Sequence, residues 1–252
     1  MSEREIPVAT GDGEMTTFLV YPDAGGPFPV AVLYMDGVGY REQVKENARR
    51  FAAGGYYVVV PDLFYRSGKK LSFDFNRMGE EGYRKRLMGI VAGVTPDAAI
   101  ADTQAILATI ADDPAAATAA PKVCVGYCMG ARIALHAAAA MPEKFVAAAG
   151  IHPSALATDE PDSPHHDLGS VRGELYFAFA EHDQSATAEV VDRFRRELEV
   201  QGVKGVVERL PGTAHGFAMA DLPVYDRDAA ERHFQRTLEL WARNLSAEPA
   251  LA

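Results

Sequence analysis

The stretch Val123-Cys124-Val125-Gly126-Tyr127-Cys128-Met129-Gly130-Ala131 decides how the rest of the chain is read. A short apolar, β-branched run leads into Gly-x-Cys-x-Gly. An alanine-rich helical pattern, Met129–Ala140, follows at once. This is the nucleophile-elbow arrangement with cysteine in the place of serine. Its physical demand is specific. A nucleophile on a tight strand-to-helix turn leaves no room for side chains two residues before or after it, so both positions must be glycine. The turn would aim the Cys128 sulfur out of the sheet and set it at a helix N-terminus, where the macrodipole favours a thiolate. The backbone N–H of Met129 would then face a developing oxyanion. Cys124 lies inside the strand without a glycine frame and reads as core.

Working outward, apolar runs fall at Phe18–Tyr21, Val30–Tyr34, Tyr56–Val60, Phe145–Ile151, Glu174–Ala180 and Val206–Leu210, most of them bounded by Gly, Pro or Asp. Such runs read as buried strands. Helical patterns lie between them: Glu42–Ala53, Pro96 to about Asp112, Ala188–Gln201 and about Leu222–Leu245. Strand alternating with helix predicts an α/β fold, a mostly parallel sheet with helices on both faces and no large cap. The short Pro/Gly turn from Pro22 to Pro29 suggests that the first two runs pair antiparallel at one edge. A single domain is expected over 1–252, with an ordered core of about 5–245 and a short tail from Ser246. The long loops Leu63–Arg77 and Pro153–Arg172 are expected to border the site.

Composition narrows the function classes. The chain has 252 residues, 48% hydrophobic and 24% charged, an ordinary globular balance with enough length for a sizeable core. A net charge of −10 argues against a nucleic-acid binder. Two cysteines are too few for a disulfide framework and lack the partners of a zinc site. No apolar run is long enough for a membrane span, and the first residues hold no apolar leader. The expectation is a cytoplasmic protein without a metal site, acting on a small molecule as a monomer or small homo-oligomer.

A thiol nucleophile needs a base, and the base an orienting acid. In this architecture they follow in the order nucleophile, acid, histidine. Asp183 sits just after one strand run and His215 just after the next, in Gly212-Thr213-Ala214-His215-Gly216-Phe217, both at strand C-terminal ends where such folds bind ligands. His182 is the main rival for a site role. His152, at a strand end, could line the pocket. His136 and His233 fall within helices, and His136 is expected to pack. His165 and His166 are expected to be solvated. The loop Met35-Asp36-Gly37-Val38-Gly39-Tyr40 is expected to give the second oxyanion N–H near Gly37, with Asp36 placed to meet the thiol. Asp62 reads as a structural strand-end residue.

These residues resemble the dienelactone hydrolase family, the cysteine branch of the α/β-hydrolase fold. The Gly-Tyr-Cys-Met-Gly elbow, Glu181-His182-Asp183, the segment at His215 and Gly55-Tyr56-Tyr57-Val58-Val59-Val60-Pro61-Asp62-Leu63 carry the likeness. The resemblance implies an enol-lactone or ester hydrolase working through a thioacyl intermediate, with no cofactor. It also implies a thiol-activating role for Asp36, where the family has glutamate. Met219 stands where the family has a carboxylate-binding arginine; the family's other arginine falls near Arg77, Arg84 and Arg86. Tyr40, Tyr127, His152, Phe217 and Met219 are the pocket candidates. A general carboxylesterase or thioesterase for uncharged esters is the alternative, and a non-hydrolytic ligand-binding or redox protein on the same fold is a third class.

Overall fold

The computed structural model describes residues 1–161 and 163–246. One eight-stranded sheet runs in the order β1-β2-β4-β3-β5-β6-β7-β8. Its strands are β1 (Ser2–Thr10), β2 (Gly13–Tyr21), β3 (Val30–Tyr34), β4 (Tyr57–Pro61), β5 (Lys122–Tyr127), β6 (Phe145–Ile151), β7 (Glu174–His182) and β8 (Gly205–Ala214). From β4 to β8 every neighbouring pair is parallel, while β1 and β2 run antiparallel at one edge. This is the expected mostly parallel α/β sheet.

Two edge details differ from the sequence reading. The runs Phe18–Tyr21 and Val30–Tyr34 do not pair with each other; β2 pairs with β4 instead, Phe18 opposite Val60. The Pro22–Pro29 connection therefore crosses over β4 rather than closing a hairpin. Strand β1 was not foreseen, because Ser-Glu-Arg-Glu has no apolar run. It is an exposed edge strand held by its ladder to β2.

Among the described residues six α-helices accompany the sheet: α1 (Glu42–Ala53), α2 (Glu81–Ala92), α3 (Pro96–Thr109), α4 (Met129–Ala140), α5 (Ala188–Val200) and α6 (Arg227–Leu245). They cover both faces, and side-chain alternation along the strands explains how. Phe18, Val20, Val58 and Val60 join the large core that takes in Phe51 of α1 and Trp241 of α6, whose rings lie 4.8 Å apart. Leu19, Tyr57 and Val59, on the opposite face, pack with Ile106 of α3 and with Ile110 just beyond it. Helix α2 escaped the sequence reading: of its residues only Leu87 is buried, so it carries almost no apolar stripe. Among the described residues, no helix is long and apolar enough to cross a membrane. The tail expected beyond Ser246 lies outside the described residues.

Candidate active site

The elbow forms as its glycines require. Met129 begins α4 directly after Cys128, whose φ of 53° and ψ of −114° are strained for a residue with a side chain. A Cβ on Gly126 would come within 1.9 Å of the Gly130 carbonyl oxygen. One on Gly130 would meet the Tyr34 carbonyl oxygen at 2.4 Å. Strand, helix and the end of β3 thus touch backbone to backbone, and no larger residue fits at either position. The Cys128 N–H donates to the Ile151 carbonyl at 3.0 Å, tying the turn to β6.

Asp183 follows β7 and His215 follows β8, as expected. A register irregularity between Ala180 and His182, opposite the Pro211-Gly212 stretch of β8, brings these two ends together. His215 Nδ1 lies 2.5 Å from Asp183 Oδ2. Asp183 Oδ1 accepts from the Ser185 N–H at 2.8 Å and the Ser185 hydroxyl at 2.7 Å, an Asx turn that fixes the carboxylate. The other imidazole nitrogen, Nε2, is left for the Cys128 sulfur, with which His215 is hydrogen-bonded.

Burial alone would push the Cys128 thiol up. The charge and hydrogen bond of His215 outweigh it, with help from the Gly37 N–H, and hold the thiol below its ordinary value. His215 moves the other way. Burial works against its charge, but the facing thiolate and Asp183 raise it to about 11. Asp183 is likewise held below the carboxylate range: burial opposes its charge, and the bond to His215 overrides it. The charge on each of Cys128 and His215 thus favours the charge on the other. Gly37, expected in the oxyanion hole, lies with its N–H on the sulfur.

A cavity of about 260 Å³ opens at the sulfur. Asp36, Gly37, Cys128, Met129, His152, Ser154, Ser185 and His215 form its reacting end; Val38, Phe75, Met78, Leu87, Met88, Val91 and Leu222 form an apolar wall. Both long loops contribute, through Phe75 and Ser154. A second cavity, about 350 Å³, shares Met88, Val91 and Met129 with the first and is lined by Arg132 and His136.

Asp36 lines the cavity beside Cys128, with its carboxylate bound to Arg41. Its Oδ1 lies 2.5 Å from Arg41 Nη1 and its Oδ2 3.0 Å from Nη2, and the Val38 N–H donates to Oδ1. Among the described residues, no hydrogen bond joins it to Cys128, and its charge works against the thiolate. Four of the pocket candidates lie off the cavity wall. The Tyr40 hydroxyl donates to Glu5, 3.1 Å away. Tyr127 and Phe217 are fully buried and pack edge-on or tilted against His152 from beneath. Met219 is buried, its sulfur accepting from Asn47. Of the five, His152 alone lines the cavity.

The remaining histidines sort by burial. His182 is exposed, beside Glu181 rather than the thiol. His136 packs as expected and meets Asp167 at 2.5 Å. His165 is not solvated: it is buried and bonded to Ser163 Oγ at 2.8 Å, whereas His166 is exposed. His233 is buried, which lowers its pKa to about 3. Asp62 caps its loop, accepting from the Phe64 and Lys70 N–H groups. Sequence reasoning missed Arg41, Ser154, Ser185 and the wall from α2. Only Ser185 had a local signal, the Asp-x-Ser turn pattern.

Residues 15–245 match the model of the dienelactone hydrolase family. The chain belongs to the dienelactone hydrolase family. Among curated relatives, the "Putative carboxymethylenebutenolidase" of Escherichia coli is 25% identical over 229 residues, covering 90% of this chain and 80% of the relative. The protein of the same name from Azospirillum brasilense is 27% identical over 255 residues, covering 97% of this chain and all of the relative. Among solved structures, one titled "Crystal Structure of Putative Dienelactone Hydrolase from Klebsiella pneumoniae subsp. pneumoniae MGH 78578" superposes with a TM-score of 0.83 at 21% identity, over 96% of this chain and 98% of its own. That likeness establishes the α/β-hydrolase fold. The family hit makes the chain a hydrolase.

Proposed function

We propose that this family member hydrolyses an ester or lactone carbonyl, with Cys128 as nucleophile, His215 as proton carrier and Asp183 as its anchor. The observation that carries the reading is the unbroken line Cys128–His215–Asp183 laid across the C-terminal ends of β5, β8 and β7. In the first half-reaction the Cys128 thiolate adds to the carbonyl carbon. The Gly37 and Met129 amides receive the oxyanion, and His215 gives its proton to the departing oxygen. In the second, water adds to the thioester, its proton passes to His215, and the C–S bond breaks to restore the pair. A thiolate is a better leaving group than a plain alkoxide, so the chemistry favours activated leaving groups such as enolates or phenolates. The reaction requires no cofactor, and a reducing compartment such as the cytoplasm suits it.

The apolar wall around Cys128 favours an uncharged group next to the reacting carbonyl. A second reading, an ester or lactone with a carboxylate further along, is favoured by Arg132. It is half-buried in the adjoining cavity and makes no ion pair or hydrogen bond among the described residues. The deciding experiment is turnover of a neutral p-nitrophenyl ester and of a dienelactone by wild type and Cys128→Ala. Loss of both activities in the variant is expected. Undiminished turnover without the sulfur would overturn the scheme.

A further inference from the structure

Cys128 stands at the end of β5, between two different surroundings. On the β3 side lies the Gly37 N–H and, where α4 begins, that of Met129, the two oxyanion donors of the thioacyl scheme. On the other side the sheet continues through β6, β7 and β8, and the loops after these strands carry Ser154, Ser185 and His215. All five residues line the cavity at the sulfur. The Ser185 hydroxyl is already engaged, since it donates to Asp183. The Ser154 hydroxyl is not. It stands 3.9 Å from Cys128 Sγ, and among the described residues it has no other hydrogen-bond partner.

The turn that delivers this hydroxyl is strained and pinned. His152 and Ala155 flank Pro153-Ser154 with φ of 38° and 51°, both left-handed and neither glycine. The His152 N–H donates to the Ala178 carbonyl at 2.8 Å and the Ala155 N–H to the Ser185 carbonyl at 3.4 Å, so the turn is tied to the residue that fixes Asp183. Strain of this kind persists only where the surroundings over-determine it, and it gathers at reacting sites. A separation of 3.9 Å is the outer reach of a hydrogen bond to sulfur, and the thiolate already has His215 and the Gly37 N–H. An oxygen on the carbon that the sulfur attacks stands closer in, which leaves room for an ordinary O–H···O bond of about 2.7–2.8 Å to the hydroxyl. The carbonyl oxygen turns to Gly37 and Met129. The oxygen on the Ser154 and His215 side is therefore the one that departs.

We propose that Ser154 is a further catalytic residue, its hydroxyl donating a hydrogen bond to the leaving oxygen as the C–O bond of the ester breaks. The inference rests on the thioacyl scheme. The electron pair of the C–O bond stays on the departing oxygen, His215 Nε2 supplies the proton, and Ser154 keeps its own. Its hydrogen bond stabilises charge that exists only while the bond is breaking. That help matters because the Cys128 thiolate competes with the alkoxide or phenolate for departure, and the more basic oxygen loses. Ser154 thus widens the range of leaving groups that the thiolate can displace.

The test compares kcat/KM, which reads acylation, for phenyl butyrate and p-nitrophenyl butyrate. The two share an acyl group, and phenolate is the more basic leaving group. For Ser154→Ala the expected fall is about tenfold or more on the phenyl ester and no more than about threefold on the nitrophenyl ester. Ser154→Gly also lacks the hydroxyl and should behave alike, so one variant remains informative if the other fails to fold. Ser154→Thr keeps the hydroxyl and should recover most of the loss. Iodoacetamide alkylation of Cys128 should keep its wild-type pH profile in the alanine and glycine variants, because the sulfur retains His215 and Gly37. Equal losses on the two esters, or no loss on either, would overturn the assignment. So would an alkylation profile moved to higher pH, since Ser154 would then serve the sulfur. Full activity of Cys128→Ala would instead sink the thioacyl scheme, whatever the Ser154 variants do.

Discussion

Arg41 grips both oxygens of Asp36 in a bidentate pair, with Nη1 at 2.5 Å from Oδ1 and Nη2 at 3.0 Å from Oδ2. The same guanidinium reaches Asp221 through Nε at 2.6 Å. Asp36 therefore shapes the loop that carries Gly37, while its charge opposes the Cys128 thiolate. The expected outcome for Asp36→Asn is iodoacetamide alkylation of Cys128 that shifts to lower pH, with esterase kcat within about threefold of wild type. A hundredfold loss of kcat with the fold intact would restore Asp36 as the activator. Arg41→Gln is the opposite case. It strands a buried carboxylate, which costs about 3 kcal/mol, and a thermal melt should fall by several degrees.

The Cys128 thiol sits below its ordinary value because His215 outweighs burial. The thiolate is the alkylated species, so the rate climbs as pH rises through the thiol's pKa. In wild type that climb should be centred below 9. In His215→Gln only the Gly37 N–H is left to oppose burial, so the midpoint should move up, and alkylation at neutral pH should slow by about tenfold or more, one pKa unit being a factor of ten. Cys124 is fully buried and its thiol is pushed up, so it contributes no competing signal. Equal profiles for the two proteins would contradict the ion pair.

Residue type and spacing carried the elbow because sterics there leave one solution. Gly126 and Gly130 are where backbone meets backbone, and a sequence can announce that. Asp183 and His215 were legible for the same reason: each ends a strand recognisable by its own apolar run. Arg41, the partner of Asp36, was not legible because it is five residues away on a loop whose conformation no periodicity encodes. Tyr40, Phe217 and Met219 look like pocket residues by proximity in sequence, yet local turns bury them beneath the wall. Three of the seven wall residues, Leu87, Met88 and Val91, come from α2, which packs by one leucine and leaves little pattern to read.

The elbow makes a stability prediction as well as a catalytic one. Gly126→Ala places a methyl 1.9 Å from the Gly130 carbonyl oxygen, so strand and helix must separate. Overpacking of this kind costs about 1–3 kcal/mol or more. A lowered melt together with at least a hundredfold loss of kcat/KM is expected, since the sulfur moves with the turn. Gly89→Ala is the control: its Cβ would meet nothing within 4 Å on α2, and neither melt nor activity should fall. A Gly126→Ala protein with wild-type kinetics would mean that the close contact is not what positions Cys128.

Arg132 lies one helical turn beyond Cys128 on α4 and lines the cavity that shares Met129 with the reacting pocket. A partly desolvated guanidinium that makes no ion pair among the described residues discriminates strongly between neutral and acidic ligands. For Arg132→Gln, kcat/KM on p-nitrophenyl butyrate should stay within about twofold of wild type. On the p-nitrophenyl half-ester of glutaric acid it should fall by about tenfold or more, carried by KM, and Arg132→Lys should recover part of it. That split would place the substrate's charge in the second cavity and decide for the acid-bearing reading. Equal, small effects on the two esters would leave the apolar wall as the determinant and decide for uncharged esters.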